Sequence, residues 1–101
     1  MQMLWTWGGK FFGYRDGDDL WTHDGRHVGR FRGDNAFDQH GRYLGEVMQR
    51  DRLITSTTKG IGQTGIFTPY AKRAGIARYA NYAGYAMYAG YRDFPSPDSL
   101  A

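Results

Sequence analysis

The chain has 101 residues, 41% hydrophobic and 23% charged, with a net charge of +3 and no cysteine. That length makes one small domain and excludes a two-domain enzyme, and the missing thiols exclude disulfides and thiolate metal sites. With no basic, apolar leader after Met1 and no run approaching the roughly 20 apolar residues of a membrane span, the expectation is a soluble, cytoplasmic protein.

Fifteen glycines, fourteen Phe or Tyr and three Trp argue for many short strands joined by tight turns rather than for packed helices. Three copies of a 16-residue unit follow one another without a gap. Trp5, Trp21 and Phe37 each stand four residues before Gly9, Gly25 and Gly41, which in turn stand four before Gly13, Gly29 and Gly45. Between the glycines lie Lys10-Phe11-Phe12, Arg26-His27-Val28 and Arg42-Tyr43-Leu44. Sixteen residues suit two strands of about five residues and two turns, so each unit is read as a β-hairpin. In the third unit Asp38 is placed to cap a type I turn, with Gly41 left-handed in a bulge.

That register pairs Trp5 with Phe11, Trp21 with His27 and Phe37 with Tyr43 on one face. It sets Leu4 against Phe12, Leu20 against Val28 and Ala36 against Leu44 on the other. A two-residue turn at Asp24-Gly25 would instead pair Trp21 with Val28, and a one-residue slip turns every side chain over. The second turn of each unit is expected near Asp16-Gly17-Asp18 and Arg32-Gly33-Asp34. The three hairpins span about residues 3–16, 19–32 and 35–48.

A fourth unit begins at residues 52–55, in strict phase or with one residue inserted, but position 57 lacks the expected glycine. Its second strand is predicted at residues 86–92, because Met87-Tyr88-Ala89-Gly90-Tyr91-Arg92-Asp93 matches residues 10–16 and Gly-Tyr-Arg-Asp is identical. One hairpin is then split by an insertion over residues 55–85, and residues 95–101 form a tail. The fold class expected is all-β: four short hairpins around a pseudo-fourfold axis, leaving few free strand edges.

The runs Trp-Gly-Gly-Lys-Phe-Phe-Gly-Tyr, His-Asp-Gly-Arg-His-Val-Gly-Arg-Phe and His-Gly-Arg-Tyr-Leu-Gly-Glu-Val resemble those of small bacterial proteins described as four-fold beta-flower domains. The resemblance covers residues 3–54 and the last strand. It implies a fold and no activity, and it carries over no site residues.

The charge is unevenly placed. Residues 1–54 hold eight basic and eight acidic groups, whereas residues 55–85 hold Lys59, Lys72, Arg73 and Arg78 and no acid. Cations among tyrosines suit a polyanion, neutralising phosphates while rings stack on bases, so these four residues are candidate nucleic-acid contacts. Ile76, Tyr79, Tyr82, Tyr85, Tyr88 and Tyr91 recur every third residue. That period fits neither an α-helix nor a strand, but a three-residue extended helix aligns the rings on one edge. The preferred reading is a segment that wraps the domain and seats its tyrosines between hairpins.

His23, His27 and His40 fall at different places in the repeat, so no metal site is assigned, and His27 is read as a ring paired with Trp21. The aspartates cluster at turns, where they cap backbone amides. No nucleophile signature, phosphate loop or cofactor motif is found, and the protein is read as no enzyme. Trp7 breaks the repeat and is expected to be exposed. Equivalent turn positions bring Lys10, Arg26 and Arg42 together as a candidate ring of cations. The function expected is an interaction or scaffold module with a protein partner, the alternative being polyanion binding through the insertion.

Overall fold

The computed structural model describes residues 1–59, 62 and 64–100. Gly60, Ile61, Gln63 and Ala101, which fall in the expected insertion and tail, lie outside the described residues. Three hairpins follow the 16-residue period: β1 (Gln2–Thr6) with β2 (Phe11–Asp16), β3 (Asp19–Thr22) with β4 (His27–Arg32), and β5 (Asn35–Phe37) with β6 (Tyr43–Met48). Next comes β7 (Arg52–Ser56), and after a long excursion β8 (Tyr91–Asp93), followed by a 3-10 turn at Pro97–Ser99.

Each strand pairs with the next, and β7 also pairs in parallel with β1, Trp5 opposite Arg52 and Thr6 opposite Leu53. The sheet thereby closes as a seven-strand barrel, and β8 takes the free half of the β7 edge. Closure leaves little strand edge for unwanted pairing.

Trp5 faces Phe11, Trp21 faces His27 and Phe37 faces Tyr43, as the spacing predicts. The inner pairs differ by one residue: Leu4 lies opposite Gly13, Leu20 opposite Gly29 and Ala36 opposite Gly45. A β-bulge in each of these three hairpins causes the difference. The extra residue lets Phe12, Val28 and partly buried Leu44 turn inward with Leu4, Leu20 and Ala36, and lets Phe31 and Val47 follow them into the same core. The expected membership of the inner face therefore holds, though not its pairing.

The bulge also accounts for the second glycine of each unit. A Cβ on Gly45 would press on the Ile54 carbonyl oxygen and on the Phe94 ring, because the next unit crosses there. The turns at Gly17 and Gly33 are left-handed (φ 60° and 61°) and span two residues, whereas the third runs through Gln49 and Arg50, both at positive φ. That longer turn is the inserted residue between the third and fourth units, and it puts Leu53 rather than Arg52 in the core.

The fourth hairpin corrects the sequence alignment. Its second strand is Tyr91–Asp93, not residues 86–92, with Ile54 opposite Asp93 and Ser56 opposite Tyr91. Gly90 is not the strand glycine that the Gly-Tyr-Arg-Asp match implies. It sits in the turn at φ 81°, close to the 93°, 88° and 79° of Gly9, Gly25 and Gly41. The inward ring after β8 is Phe94, edge-on to Phe12 at 5.3 Å.

Candidate interaction surface

Residues 57–90 contain no strand or helix among those described, yet the segment is tied down at regular intervals. The backbone N–H groups of Thr64, Arg73 and Tyr82 donate to the carbonyls of Gly41, Gly25 and Gly9 at 2.8–2.9 Å. Those of Phe67, Ile76 and Tyr85 donate to Gln39, His23 and Trp7 at 2.8–3.1 Å. Acceptors step back by 16 residues while donors advance by nine, so the segment is a strap that visits the hairpins in reverse order, nine residues to each. Bonding donors three apart in a nine-residue cycle account for the tyrosine period of three.

The strap covers the ring pairs that face away from the core. Tyr82 stacks on Trp5 at 4.0 Å and Tyr79 on Phe11 at 5.1 Å, while Tyr85 and Tyr88 lie 4.9 and 5.3 Å from Trp7. Trp5 and Trp7 donate their indole N–H groups to the strap carbonyls of Ala80 and Ala86, both at 2.9 Å. Trp7 is therefore buried, 1% exposed, contrary to the expectation from its place outside the repeat. Asp93 completes the seat by accepting from the backbone N–H groups of Trp7 and Gly8.

In the second hairpin His27 packs beside both Trp21 (4.9 Å) and Tyr70 (5.0 Å), which are 6.3 Å from each other. Its Nδ1 accepts from the Tyr70 backbone N–H at 3.0 Å, which leaves the proton on Nε2 to be donated to Asp19 Oδ1 at 2.9 Å. Burial lowers the His27 pKa, and nearby Arg30 lowers it further, against the opposing pull of Asp19. The unfolded chain therefore binds a proton that the folded one refuses. Stability from this site is full above about pH 6.5 and is lost as the pH falls through the lower folded value. Thermal melts from pH 7.5 down to 5 should show a steeper loss for the native chain than for His27→Phe, the ring that Phe11 supplies in the first hairpin; parallel curves would refute the assignment.

The four cations proposed for a polyanion are not equivalent. Lys59 is paired with Glu46 at 2.6 Å, and Arg73 lies 3.8 Å over the Trp21 ring and 2.9 Å from Asp16. Lys72 and Arg78 have no ion pair among the described residues. The acid-free insertion thus finds half its counter-charges on the barrel. Lys10, Arg26 and Arg42 do hold equivalent turn positions, their carbonyls accepting from Thr6, Thr22 and Asp38. Arg26 is paired with Asp24 and donates to the Pro97 and Leu100 carbonyls of the tail, and Arg42 is paired with Asp38.

Sequence reasoning missed Arg52. It is buried, donates to the carbonyls of Trp7 and Ala83, and lies 4.2 Å over Tyr85 and 5.2 Å from Tyr82. Its only visible signal was a charge at the start of the degenerate fourth unit. His23, His27 and His40 are not brought together, and among the described residues no cluster of metal-ligating side chains forms.

Residues 1–87 match a family model described as 4-fold beta flower protein. The chain belongs to this family. The matched part of the beta flower contains β1 to β7 and nearly the whole strap and ends before β8. No curated protein and no solved structure matches the chain. No helix of the flower is long and apolar enough to cross a membrane among the described residues.

On its outer side the strap carries the flower's exposed rings. Tyr70, Tyr79, Tyr82, Tyr85 and Tyr88 are 46–55% exposed, and with Ile66 and Met87 they form the exposed large apolar groups of the described residues, Met1 apart.

Proposed function

We propose that the protein is a non-enzymatic interaction module whose contact surface is the outer edge of the strap and whose partner is a protein. The row of half-exposed tyrosines supports this reading. Each ring meets another ring on its inner side, stacked for Tyr70, Tyr79 and Tyr82 and tilted for Tyr85 and Tyr88, so little side-chain freedom remains to be lost on binding, and tyrosine contributes large apolar area with a polar tip. Lys72 and Arg78 on the same segment favour acidic groups at the rim of the partner surface. Polyanion binding draws less support, because Lys59 and Arg73 are held by carboxylates and two remaining cations neutralise few phosphates.

The test is capture of partners from the native host on immobilised protein, repeated with Ile66→Ser/Met87→Ser. Both side chains point to solvent, so the melting midpoint should stay unchanged while a specific partner is lost. A partner retained equally by the variant would place the interface elsewhere. Retention on single-stranded poly(U) that collapses between 50 and 200 mM salt would favour the polyanion reading instead.

A further inference from the structure

The inward residue that follows each turn is covered unequally. Phe12 is fully buried and meets Phe94 edge-on, Val28 is 7% exposed, and Leu44 is only partly covered. The seam between the second and third hairpins is also laced more loosely than the one before it. β2 pairs with β3 as far as Gly13 and Thr22, but β4 pairs with β5 only as far as Arg30 and Phe37. The backbone N–H groups of Trp7 and His23 donate across their seams to the Leu53 and Phe12 carbonyls, whereas that of Gln39, the equivalent residue, has no acceptor among the described residues. A cleft of about 180 Å³ opens there, lined by apolar Val28, Leu44 and Leu100 and by Gln39, His40 and Arg42.

The chain itself shows what such a turn arginine holds. On the second hairpin Arg26 has its Nε on Asp24 and donates with both terminal nitrogens to the carbonyls of Pro97 and Leu100. Pro97 is buried and Leu100 packs on the core, so the tail segment Pro-Asp-Ser-Leu is bound by its carbonyls and its apolar side chains together. Arg42 is the equivalent residue sixteen positions on. Its Nε likewise lies on a carboxylate of its own turn, Asp38, but among the described residues its terminal nitrogens have no acceptor. We propose that this cleft binds a short segment of a partner protein that carries Pro-x-x-Leu, as the tail does. The leucine of that segment lies on Val28 and Leu44, and its carbonyls accept from Arg42 and from the Gln39 N–H. The planar guanidinium serves two carbonyl oxygens at once. Asp38 already balances the charge of Arg42, so a neutral carbonyl suits the site better than a free carboxylate. The cleft is smaller than an ordinary small-molecule site, roughly 300 Å³ upward, and suits one aliphatic side chain with its peptide groups. None of its lining residues belongs to the strap, so the site does not depend on the strap's outer edge binding anything.

The probe is the capped peptide acetyl-Pro-Asp-Ser-Leu-amide, titrated into the full chain while backbone amide resonances are followed. Saturable shifts are expected at Gln39, His40, Arg42 and Leu44 with a Kd on the order of 1 mM, ordinary for so short a ligand. The same peptide ending in alanine, which keeps the carbonyls without the apolar side chain, should bind about tenfold more weakly. Arg42→Ala, a change at an exposed side chain, should weaken the leucine peptide about tenfold as well. Leu44→Phe, which copies Phe12 and fills the cleft, should abolish binding in a folded protein. Shifts confined to Arg26 and residues 97–100 would mean that the peptide merely exchanges with the tail, and would overturn the proposal. So would the absence of saturable shifts, equal affinity for the alanine peptide, or unchanged binding by Arg42→Ala or by folded Leu44→Phe.

Discussion

Phe94→Ala should cost about 3–5 kcal/mol of folding stability, the range for truncating a buried phenylalanine. Phe94 is 4% exposed and joins Leu4, Phe12, Leu20 and Leu53 in one cluster. It is the inward ring of the fourth hairpin, as Phe12 is of the first. The fourth unit has no other large side chain from its second strand in that cluster. Gly45 lies against the Phe94 ring, so the backbone of β6 is fitted to it and cannot easily collapse into the space left behind. Urea unfolding monitored by tryptophan fluorescence measures the loss. Tyr91→Ala is the control: the Gly-Tyr-Arg-Asp match would make Tyr91 the equivalent of buried Tyr14, whereas the structure leaves it only partly covered, with a ring contact to Tyr88 at 6.1 Å. A larger loss for Tyr91→Ala than for Phe94→Ala would restore the register that the sequence suggested.

The contrast between those two residues shows which parts of the fold were legible. Three intact units could be read because glycine spacing, turn aspartates and ring positions all repeat in phase, and each constrains the same hairpin independently. The outward pairs Trp5–Phe11, Trp21–His27 and Phe37–Tyr43 follow from turn geometry alone. The inner pairing did not, because a bulge is a local choice of the backbone that adds a residue without changing the repeat length. In the fourth unit only four letters matched, and a turn glycine and a strand glycine look the same in a sequence. The φ of Gly90 and the inward turn of Phe94 distinguish them.

The strap was legible as a wrapping segment with a three-residue rhythm, but its nine-residue cycle was not. That cycle is set by the distance between hairpins around the barrel, a property of the closed sheet rather than of residues 57–90. Burial of Trp7 was hidden for the same reason, since the Tyr85 and Tyr88 that cover it are far away in sequence. Charge was legible only in part. The absence of acids in residues 55–85 pointed to an external polyanion, yet Asp16 and Glu46 on the barrel meet Arg73 and Lys59. A local count of charges cannot register partners that folding delivers.

Gly25→Ala should cost about 3–4 kcal/mol and should act by lifting the strap. Two effects add. Gly25 has φ 88°, where an L-residue loses about 1–2 kcal/mol, and its Cβ would sit inside the Arg73 carbonyl oxygen of the strap, a backbone atom that no rotamer change can move. The strap's hold on the second hairpin is concentrated there: the Gly25 carbonyl accepts from Arg73, the Arg73 guanidinium covers Trp21, and Tyr70 stacks on His27 three residues before. Gly17→Ala isolates the backbone contribution, because Gly17 has φ 60° but open space around its would-be Cβ, and it should cost only about 1–2 kcal/mol. Hydrogen exchange gives the sharper readout. In Gly25→Ala the amides of Arg73 and Ile76 should lose protection before those of the barrel strands, whereas in Gly17→Ala strap and barrel should open together. Equal costs for the two variants, with strap protection intact in both, would mean that the strap accommodates a methyl group at its closest approach and is not locked to the barrel by that glycine.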